Sequence, residues 1–371
     1  MSLSVSRAII DLEAYASNLR ALRKLLPPGC GIIAVIKANA YGHGLEPIAR
    51  RAVAENVQML GVSTVEEGVQ LRQAGIDAPI LVLMQPSPDA MPAAVEQNLR
   101  LMISHTSAAE RLGEIARKTN RVAPIHCKID SGMGRQGFDI ENAERSIMYL
   151  TRISNIDIEA VATHFPAADL REDPFTLNQI KLFRHLLKQL DKQGIPYEMV
   201  HAANSSAIIN YPSSIFNMAR PGLITYGIPP VTDAPPPVRL RPVLRWETRI
   251  ALIKDVSAGA SVGYGRTYAT SGRAKLAVLP IGYADGYKHA LSNNADVLIK
   301  GRRCPVRGAV SMDQIVVDVT GVPGVQVEDT ATLIGADGSE TISVLELAQK
   351  AKTIPYDILT GIGQRVHREY K

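Results

Sequence analysis

The sequence is 371 residues long, which is room for about two domains of ordinary size. Hydrophobic residues make up 46% of it, enough to bury a large core, and this composition excludes a disordered or collagen-like chain. The 41 basic and 36 acidic residues give a net charge of +5 that is spread along the chain, so no nucleic-acid partner is expected.

The lack of a recognisable secretory signal and the cysteine usage together predict a reducing compartment. No run approaches the roughly 18 consecutive apolar residues of a membrane helix, so no membrane partner is expected. The first twenty residues carry charges at Arg7, Asp11 and Glu13 and do not have the apolar core of a secretory signal. The three cysteines show no paired spacing, which argues against a disulfide scaffold and a zinc cluster. We expect a cytoplasmic globular enzyme without a bound metal.

The first part of the chain alternates short apolar runs with amphipathic helical patterns. Within residues 1–10, Leu3–Ile10 is predicted to be a strand that joins a later β domain. The eight predicted strands that follow are Gly31–Lys37, Met59–Ser63, Pro79–Met84, Leu101–Ser104, Val122–Asp130, Ile156–His164, Glu198–His201 and Phe216–Arg220. Amphipathic stretches between them include Glu46–Glu55, Val65–Ala74, Ala108–Lys118 and Leu177–Leu190.

Repeated strand–helix units imply parallel strands, and eight of them favour a closed (β/α)8 TIM-type barrel over residues 11–228. An open doubly wound sheet is the alternative. It is less favoured because no G-x-G-x-x-G motif follows the first strand.

A proline-rich stretch separates this region from one of different texture. Six prolines fall between Gly227 and Pro242, and residues 229–242 are interpreted as a linker because proline runs continue neither helix nor sheet. Residues 243–371 then consist mostly of strand-like runs separated by Gly and Asp turns, with Ser343–Lys352 as the only predicted helix. The fold class is therefore α/β, a barrel followed by a mostly β C-terminal domain.

Polar residues collect where the predicted barrel strands end, and barrel active sites lie at the carboxyl ends of the strands. Charged groups are costly inside a barrel unless they are paired or used, so this collection predicts an active site. Its members are Lys37, Lys128, Asp130, Arg135, Thr163, His164, His201, Asn204, Ser205 and Arg220.

Two of these features indicate a kind of chemistry. Lys37 follows an apolar run, and partial desolvation would prepare its amine as a Schiff-base nucleophile; a lysine that only reaches out from a strand end is the alternative. Ser205 and Ser206 open a short helix after strand seven, and Arg220-Pro-Gly-Leu follows strand eight. Loops seven and eight are the usual phosphate cradle of a barrel, although a plain helix cap also explains the serines. Together they point to a pyridoxal phosphate enzyme or a Schiff-base aldolase.

Eight segments taken together resemble alanine racemases, in order and over essentially the whole chain. In the β domain, the Gly263–Tyr268 and Ser311–Gln314 segments would otherwise be ordinary turns, and Tyr356 an ordinary half-buried tyrosine. The segments that carry the resemblance are AVIKANAYGHG from Ala34, KIDSGMGRQG from Lys128, THFPAAD from Thr163, HAANSSA from His201, ARPGLITYGI from Ala219, VGYGRTY from Val262, SMDQ from Ser311 and IPYDIL from Ile354.

The resemblance implies that pyridoxal 5′-phosphate is the cofactor and that L-alanine and D-alanine are interconverted, with D-alanine supplied to peptidoglycan. Lys37 would hold the cofactor and act as the base on the D-alanine side. Tyr264, from the partner subunit of a homodimer with shared sites, would act on the L-alanine face. The other residues implied in cofactor binding are Tyr41, Arg135, His164, Asn204, Ser205, Arg220, Gly222, Leu223 and Tyr356.

Finer roles also follow from the resemblance. Arg220 would face the pyridine nitrogen, and His164 would link it to Tyr264. Arg135 and the partner's Met312 would bind the substrate carboxylate. The remaining two implied residues are Asp313, near the entrance, and Lys128, at a position often carbamylated in the family to orient the neighbouring arginine.

Four residues depart from the family pattern, and they bear on the charges at the entrance and on substrate access: Ser311, Ala309, Arg307 and Pro166. A racemase for serine or another amino acid on the same scaffold is the first alternative. A barrel decarboxylase with the same cofactor would need an acidic partner for the pyridine nitrogen, where Arg220 stands. A cofactor-carrier protein would resemble a lone barrel, without the β domain.

Overall fold

The computed structural model of the chain describes residues 5–230 and 236–371. The chain divides into two compact units. The barrel unit consists of Tyr15–Ala40 and Leu45–Arg241. The β unit consists of residues 5–14, the short segment Tyr41–Gly44 and Pro242–Lys371. Of the linker predicted at 229–242, residues 231–235 lie outside the described residues.

The barrel unit is a closed sheet of eight parallel strands. In chain order they are Gly31–Val35, Met59–Val62, Ile80–Val82, Arg100–Ile103, Ala123–Asp130, Ile156–Ala162, Met199–His201 and Met218–Ala219. Each strand pairs with its neighbours in the order 4-3-2-1-8-7-6-5, and strand four also pairs with strand five, which closes the ring. The predicted barrel is confirmed, and the open doubly wound alternative is wrong because the sheet has no free edge among these eight strands.

The barrel strands read as continuous apolar runs because helices cover one face and the packed interior covers the other. All five residues of Gly31–Val35 are buried, for example. Six buried side chains from six different strands fill part of the interior: Ile33, Met59, Leu81, Met102, Ala162 and Met218. The interior is thus a packed core, and polar side chains enter it only at particular levels.

Helices connect the strands. In chain order they are Leu12–Arg23 (which begins in the β unit), Lys37–Tyr41, Leu45–Ala54, Val65–Gln73, Met91–Glu96, Thr106–Lys118, Ala143–Leu150, Pro174–Lys192 and Ser205–Asn210, with 3-10 turns at Pro212–Ser214 and Leu223–Tyr226. A two-residue strand, Phe138–Asp139, lies beside the end of strand five. None of the helices within the described ranges combines the length and apolar composition that crossing a bilayer requires.

Several predicted boundaries differ from the structure by a few residues, and the difference that matters most for the site is at the end of strand one. Sequence reasoning extends this strand to Lys37, whereas the strand ends at Val35. Lys37 instead begins a short turn in which Ala38, Asn39 and Ala40 have φ of 54°, 53° and 52°, with Tyr41 at 53°. These values describe a left-handed helical turn, a conformation that residues other than glycine seldom adopt.

The β unit contains a second sheet. Its strands, in spatial order, are Leu252–Val256, Ala274–Leu279, Ile315–Asp318, Arg302–Arg307, Asp296–Ile299, Thr330–Asp337, Leu244–Arg249, Arg7–Ile10 and His367–Tyr370, with Glu340–Ile342 paired to Thr330–Asp337. Most pairs are antiparallel, as expected where one face is open to water. The N-terminal strand Arg7–Ile10 pairs antiparallel with Leu244–Arg249 and parallel with His367–Tyr370. Ser261–Val262 and Tyr268–Ala269 form a separate small hairpin.

The helix content of the β unit exceeds the prediction. The predicted helix at Ser343–Lys352 is present as Val344–Lys350, capped by the Ser343 hydroxyl. A second helix, Pro355–Gly361, and two 3-10 turns at Tyr264–Arg266 and His289–Leu291 were not predicted. Proline at the first position of a short helix is a recognised start signal, because its missing N–H is not needed there.

Candidate active site

Lys37 lies just beyond the carboxyl end of strand one, and its side chain is half-buried. Burial lowers the pKa of its amine, and the charges of Arg135 and Arg220 lower it further against the opposing effect of Glu67. A larger fraction of the amine is therefore neutral at physiological pH than for an exposed lysine. A neutral amine is the form that attacks a carbonyl or accepts a proton.

Arg220 follows strand eight and is 6% exposed. Its Nη1 donates to His201 Nδ1 and to the His201 carbonyl at 2.8 Å. Its Nη2 donates to the carbonyls of Thr163 at 2.7 Å and Ala202 at 3.0 Å, and lies 3.2 Å from His164 Nδ1. Among the described residues, none accepts the Nε–H. The guanidinium is therefore fixed on both terminal nitrogens and presents one remaining donor.

Arg220 keeps its charge although it is buried. Burial lowers its pKa to about 10, so the group is protonated at neutral pH. The same charge acts on its neighbour His164, whose pKa burial, Arg220, Lys128, Arg135 and Lys37 together hold well below the usual value. His164 is thus a neutral imidazole whose Nδ1 faces a donor.

Lys128 lies in strand five, is 3% exposed, and its Nζ contacts no hydrogen-bond partner in the described chain. Burial lowers the pKa of this amine well below its usual value, and the charges of Arg220 and Arg135 add to the effect against Asp130. An unpaired buried amine costs stability, so its presence beside two arginines calls for a functional explanation.

Arg135 sits in an exposed loop that the Asp130 carboxylate holds in shape. Oδ1 accepts from the amides of Gly132 at 2.9 Å, Met133 at 2.7 Å and Gly134 at 3.2 Å, and Oδ2 accepts from the Arg135 amide at 3.2 Å. Burial alone would raise the pKa of Asp130, but these four hydrogen bonds outweigh it and lower the pKa. The loop is therefore held in shape by the ionised Asp130 carboxylate, whose two oxygens are occupied by these backbone amides.

Ser205 joins the loops after strands seven and eight. Its buried Oγ accepts from the amides of Gly222 at 2.9 Å and Ile224 at 3.4 Å. Asn204, rather than Ser205, caps the helix Ser205–Asn210, because its side chain accepts from the Ala207 amide at 2.9 Å. Leu223 is buried and begins the 3-10 turn that follows Gly222. Hydroxyl and amide groups therefore meet at this end of the barrel.

Three functional candidates inside the barrel were missed or underused by sequence reasoning. His201 was included among the polar residues at strand ends but was given no role, and His126 and Glu159 were not noted at all. A signal did exist: His126, Lys128 and Asp130 alternate along strand five, and residues two apart share one face of a strand. Polar residues at every second position of an interior strand indicate a polar column.

In the β unit, Tyr41 and Tyr356 stack. Their ring centroids are 5.7 Å apart at an angle of 41°, a favourable tilted geometry. Gly42 and Gly44, with φ of 81° and 104°, hold this segment close: a Cβ on Gly42 would lie 2.3 Å from the Leu359 carbonyl oxygen, and one on Gly44 2.0 Å from the Tyr370 hydroxyl. Both positions thus require glycine.

The other predicted residues of the β unit are exposed. The side chains of Tyr264 and Met312 are 77% and 53% exposed, which is unusual for large apolar groups. Asp313 is also exposed and pairs with Arg365 at 2.8 Å. The Ser311 hydroxyl donates to the Gln314 carbonyl at 2.6 Å, which closes the SMDQ turn. The exposed tyrosine and methionine are candidates for contact with another molecule.

The barrel residues fit the requirements of pyridoxal phosphate. Lys37 supplies an amine of lowered pKa, Arg220 supplies one free donor beside a fixed charge, and Ser205 with the Gly222 turn supplies hydroxyl and amide groups. The orphaned Lys128 amine lies within the electrostatic reach of Arg135 and Arg220. The fold and these groups define a class: a (β/α)8-barrel enzyme with a half-buried lysine of lowered pKa at the carboxyl ends of its strands.

Comparison with known proteins agrees with this class and makes it specific. The model of the alanine racemase N-terminal domain matches residues 10–230, and that of the C-terminal domain matches residues 243–370. The alanine racemases of Halothermothrix orenii and Symbiobacterium thermophilum are each 42% identical to the chain, with 98% of this chain and 96% of theirs covered.

Solved structures agree. The alanine racemase of Clostridium difficile 630 superposes with a TM-score of 0.96 at 34% identity, covering 100% of this chain and 97% of that one. The alanine racemase from Bartonella henselae, solved with covalently bound pyridoxal phosphate, gives a TM-score of 0.90 at 29% identity over 99% and 100%. The chain belongs to the alanine racemase family and is an isomerase of the racemase class.

Proposed function

We propose that the protein interconverts L-alanine and D-alanine with pyridoxal 5′-phosphate as cofactor. One observation supports this proposal beyond family membership: Arg220, which the resemblance assigns to the pyridine nitrogen, is a buried cation with one free N–H. A carboxylate at that position would favour decarboxylation and transamination, because it would hold a proton on the nitrogen. An arginine does not readily give up its proton, so the nitrogen stays unprotonated.

The residues that would hold the cofactor follow from their chemistry. Lys37 would bind it covalently through its amine. Ser205, Gly222 and Leu223 would bind the phosphate, with Tyr41 and Tyr356 as further phosphate ligands and Asn204 capping the helix beside them. When bound, the cofactor supplies a conjugated ring that stabilises the negative charge left by removal of the α-proton.

Two opposed bases suit racemisation better than one, because a proton must leave one face of the α-carbon and another must arrive at the opposite face. Lys37, with its lowered pKa, would accept or return the proton on the D-alanine side. Tyr264 would do so on the L-alanine side. In the proposal the neutral His164 links Arg220 to this tyrosine.

Arg135 would bind the substrate carboxylate and the phenolic oxygen of the cofactor, together with the partner's Met312 amide. Lys128 would orient Arg135. Its amine is buried and unpaired and its pKa is lowered, which favours the neutral form that reacts with carbon dioxide to form a carbamate and release a proton. The carbamate would carry a negative charge beside Arg135 and would remove the cost of the orphaned amine.

The proposal includes a homodimer, cytoplasmic location and supply of D-alanine to peptidoglycan. Tyr264 and Met312 support the dimer, since both are exposed in one chain and both are assigned to the site of the other subunit. Asp313, fixed by Arg365, would lie at the entrance to that site.

The decisive experiment is chiral analysis of product. Purified protein loaded with pyridoxal phosphate is incubated separately with L-alanine, L-serine, L-lysine and L-arginine. We expect D-alanine to form fastest, and to be absent with Lys37→Ala. Faster racemisation of another amino acid would keep the mechanism and change the substrate. Binding of the cofactor without any racemisation would contradict the roles given to Tyr264 and Arg220.

The role of Arg220 in limiting side reactions has its own test. Arg220→Glu would place a carboxylate at the pyridine nitrogen, and we expect the ratio of transamination to racemisation to rise by about tenfold, one order of magnitude being about 1.4 kcal/mol in relative barrier. Formation of pyruvate per D-alanine, measured in single-turnover experiments, reports the ratio. A ratio equal to that of the unmodified protein would contradict this role.

A further inference from the structure

A chain of hydrogen bonds runs through the barrel interior behind Arg220. His201 Nδ1 accepts from Arg220, and His201 Nε2 lies 2.8 Å from His126 Nδ1. His126 Nε2 lies 3.0 Å from Glu159 Oε2. The same carboxylate accepts from Arg100 Nε at 3.3 Å and Nη2 at 3.4 Å. We call this set, from Arg100 to Arg220, the interior relay.

The relay spans the length of the strands. Arg100 is the first residue of strand four and Glu159 the fourth of strand six, whereas His201 is the last residue of strand seven. The series thus starts towards the amino ends of the strands and finishes at the carboxyl ends. Neither Glu159 nor Arg100 belongs to the set of residues assigned to the cofactor or the substrate.

Both histidines are wholly buried, with no exposed surface. His201 faces the charges of Arg220 and Lys128 as well as His126. His126 faces Glu159, Arg100 and Arg220. Burial lowers the pKa of both imidazoles, and the neighbouring cations lower it further; for His126 these effects outweigh Glu159, which raises the pKa, so both rings agree with a neutral state.

The direction of every proton in the relay can be deduced from its ends. A guanidinium can only donate, so His201 Nδ1 must be an acceptor and its proton must lie on Nε2. That proton points at His126 Nδ1, which must then accept, so the proton of His126 lies on Nε2 as well. The His126 proton in turn points at a carboxylate, which can only accept while ionised.

The same tautomers are deduced starting from Glu159, at the other end of the relay. Arg100 holds Glu159 as a carboxylate, and burial would otherwise raise the pKa of that acid before His126 and Arg100 lower it. With Glu159 ionised, His126 must donate through Nε2, and His201 must offer a lone pair to Arg220. The two ends therefore demand the same pair of tautomers, and the alternative pair would set an N–H of His201 against an N–H of Arg220.

We propose that Glu159 and His126 are positioning residues that lock His201 in the Nε2–H tautomer, so that Arg220 is held in place and kept protonated from the far end of the barrel. This inference rests on the proposed function only in its kinetic consequence, since the tautomers are properties of the chain itself. A purely structural network would stabilise the barrel without fixing the direction of the protons.

The first test needs no substitution. Histidine-selective ¹⁵N NMR of the cofactor-loaded protein at neutral pH reports which ring nitrogen carries the proton, and His126→Asn and His201→Asn chains assign the signals. We expect both buried rings to show protonated Nε2 and unprotonated Nδ1. A proton on Nδ1 of either ring, or a doubly protonated ring, would overturn the proposal.

The second test uses Glu159→Gln, which keeps the side-chain volume but can donate as well as accept. We expect the second tautomer to become populated at both histidines and kcat to fall about tenfold, the size seen when an outer hydrogen-bond partner of a functional group is removed. KM should stay within about twofold, because none of the relay residues is assigned to the substrate. Glu198→Gln, an exposed carboxylate before strand seven, is the matched control.

The two readouts separate this proposal from the proposed function. Unchanged tautomers together with unchanged kcat in Glu159→Gln would overturn the relay while leaving racemisation intact. If the unmodified protein shows the expected tautomers but neither binds pyridoxal phosphate nor racemises alanine, the proposed function fails and the lock on His201 still stands.

Discussion

Two buried basic side chains in the barrel unit, Arg220 and Lys128, differ in whether their N–H groups have hydrogen-bond partners. Arg220 donates to carbonyls and imidazoles from both terminal nitrogens, so its burial is balanced by charge-assisted hydrogen bonds. The Lys128 amine lies close by in strand five without such a partner. Full satisfaction fixes a group in place, whereas an orphaned amine is reactive and costs stability. The contrast assigns a fixed role to Arg220 and a chemical one to Lys128.

Substitution of Lys128 should therefore separate stability from activity. Lys128→Met keeps the length of the side chain and removes the buried amine, and we expect the free energy of unfolding to rise by about 1 kcal/mol, with kcat about tenfold lower or more. Urea unfolding in buffer depleted of carbon dioxide measures the first, and D-alanine formation the second. Lys188→Met, on the exposed face of a helix, is the control and should change neither.

The rise in the free energy of unfolding expected for Lys128→Met should depend on pH, and the lowered pKa of Lys128 determines the direction. The pKa of Lys128 is lowered in the folded chain, so between that value and the unfolded value near 10.4 the unfolded state binds more protons. Folding stability of the unmodified chain then rises with pH through this window. The advantage of Lys128→Met should be largest at low pH and should shrink as pH approaches 10. An advantage that grows with pH would contradict a depressed pKa.

At the scale of elements, the turn after Lys37 is unusual in its backbone conformation, which is left-handed over successive residues. Ala38 is exposed with φ of 54°, a conformation that costs an L-residue about 1–2 kcal/mol and costs glycine nothing. Ala38→Gly should therefore raise the free energy of unfolding by about 0.5–1 kcal/mol after the greater entropy of glycine is deducted. Ala108→Gly, in the right-handed helix Thr106–Lys118, should lower it by a similar amount. Thermal unfolding of the two variants should give shifts of opposite sign.

The helix Ser205–Asn210 allows capping to be distinguished from cofactor binding. Asn204→Asp retains a good N-cap, whereas Asn204→Ala loses about 1 kcal/mol of stability. If Ser205 binds the cofactor phosphate, a carboxylate one residue away should weaken pyridoxal phosphate binding about tenfold while stability is kept. Fluorescence titration of cofactor-free protein measures the affinity. Equal affinity of Asn204→Asp and the unmodified chain would place the phosphate elsewhere.

The sequence is sufficient to predict the elements that depend on long patterns. Eight apolar runs separated by amphipathic stretches predict the barrel, because burial on both faces forces each strand to be apolar. The end of strand one is misplaced at Lys37, since the apolar run continues past the last strand residue, Val35. Nothing in Ala38–Ala40 indicates left-handed backbone, because alanine normally favours the right-handed helix.

The candidate site could be predicted only in part from the sequence, for related reasons. Polar residues at strand ends stand out against apolar runs, which is why Lys37, His164 and Arg220 could be found. The pairing of His126 with Glu159 depends on two strands being adjacent and on a register shift between Ile125 and His126, neither of which is encoded locally.

At the scale of the whole molecule, shared active sites have a direct test. Lys37→Ala and Tyr264→Phe chains should each be inactive, and mixing them with subunit exchange should restore up to one intact site per heterodimer. About a quarter of the unmodified specific activity is expected from random pairing of equal amounts, since half of all dimers are mixed and each has one working site. Sedimentation of the mixture checks that dimers form. No recovery after verified exchange would contradict the sharing of Tyr264.

The strand Arg7–Ile10 has a consequence for the order in which the chain is made. Its two neighbours are Leu244–Arg249 and His367–Tyr370, and Arg7 pairs with Glu247 and Glu369 across separations of 240 and 362 residues. At about 5–20 residues per second, a ribosome needs at least ~10 s after making this strand before the first neighbour exists. All barrel strands emerge in that interval. The strand therefore stays without its partners for at least that time, which makes it the point where a chaperone or a competing chain has the longest opportunity to intervene.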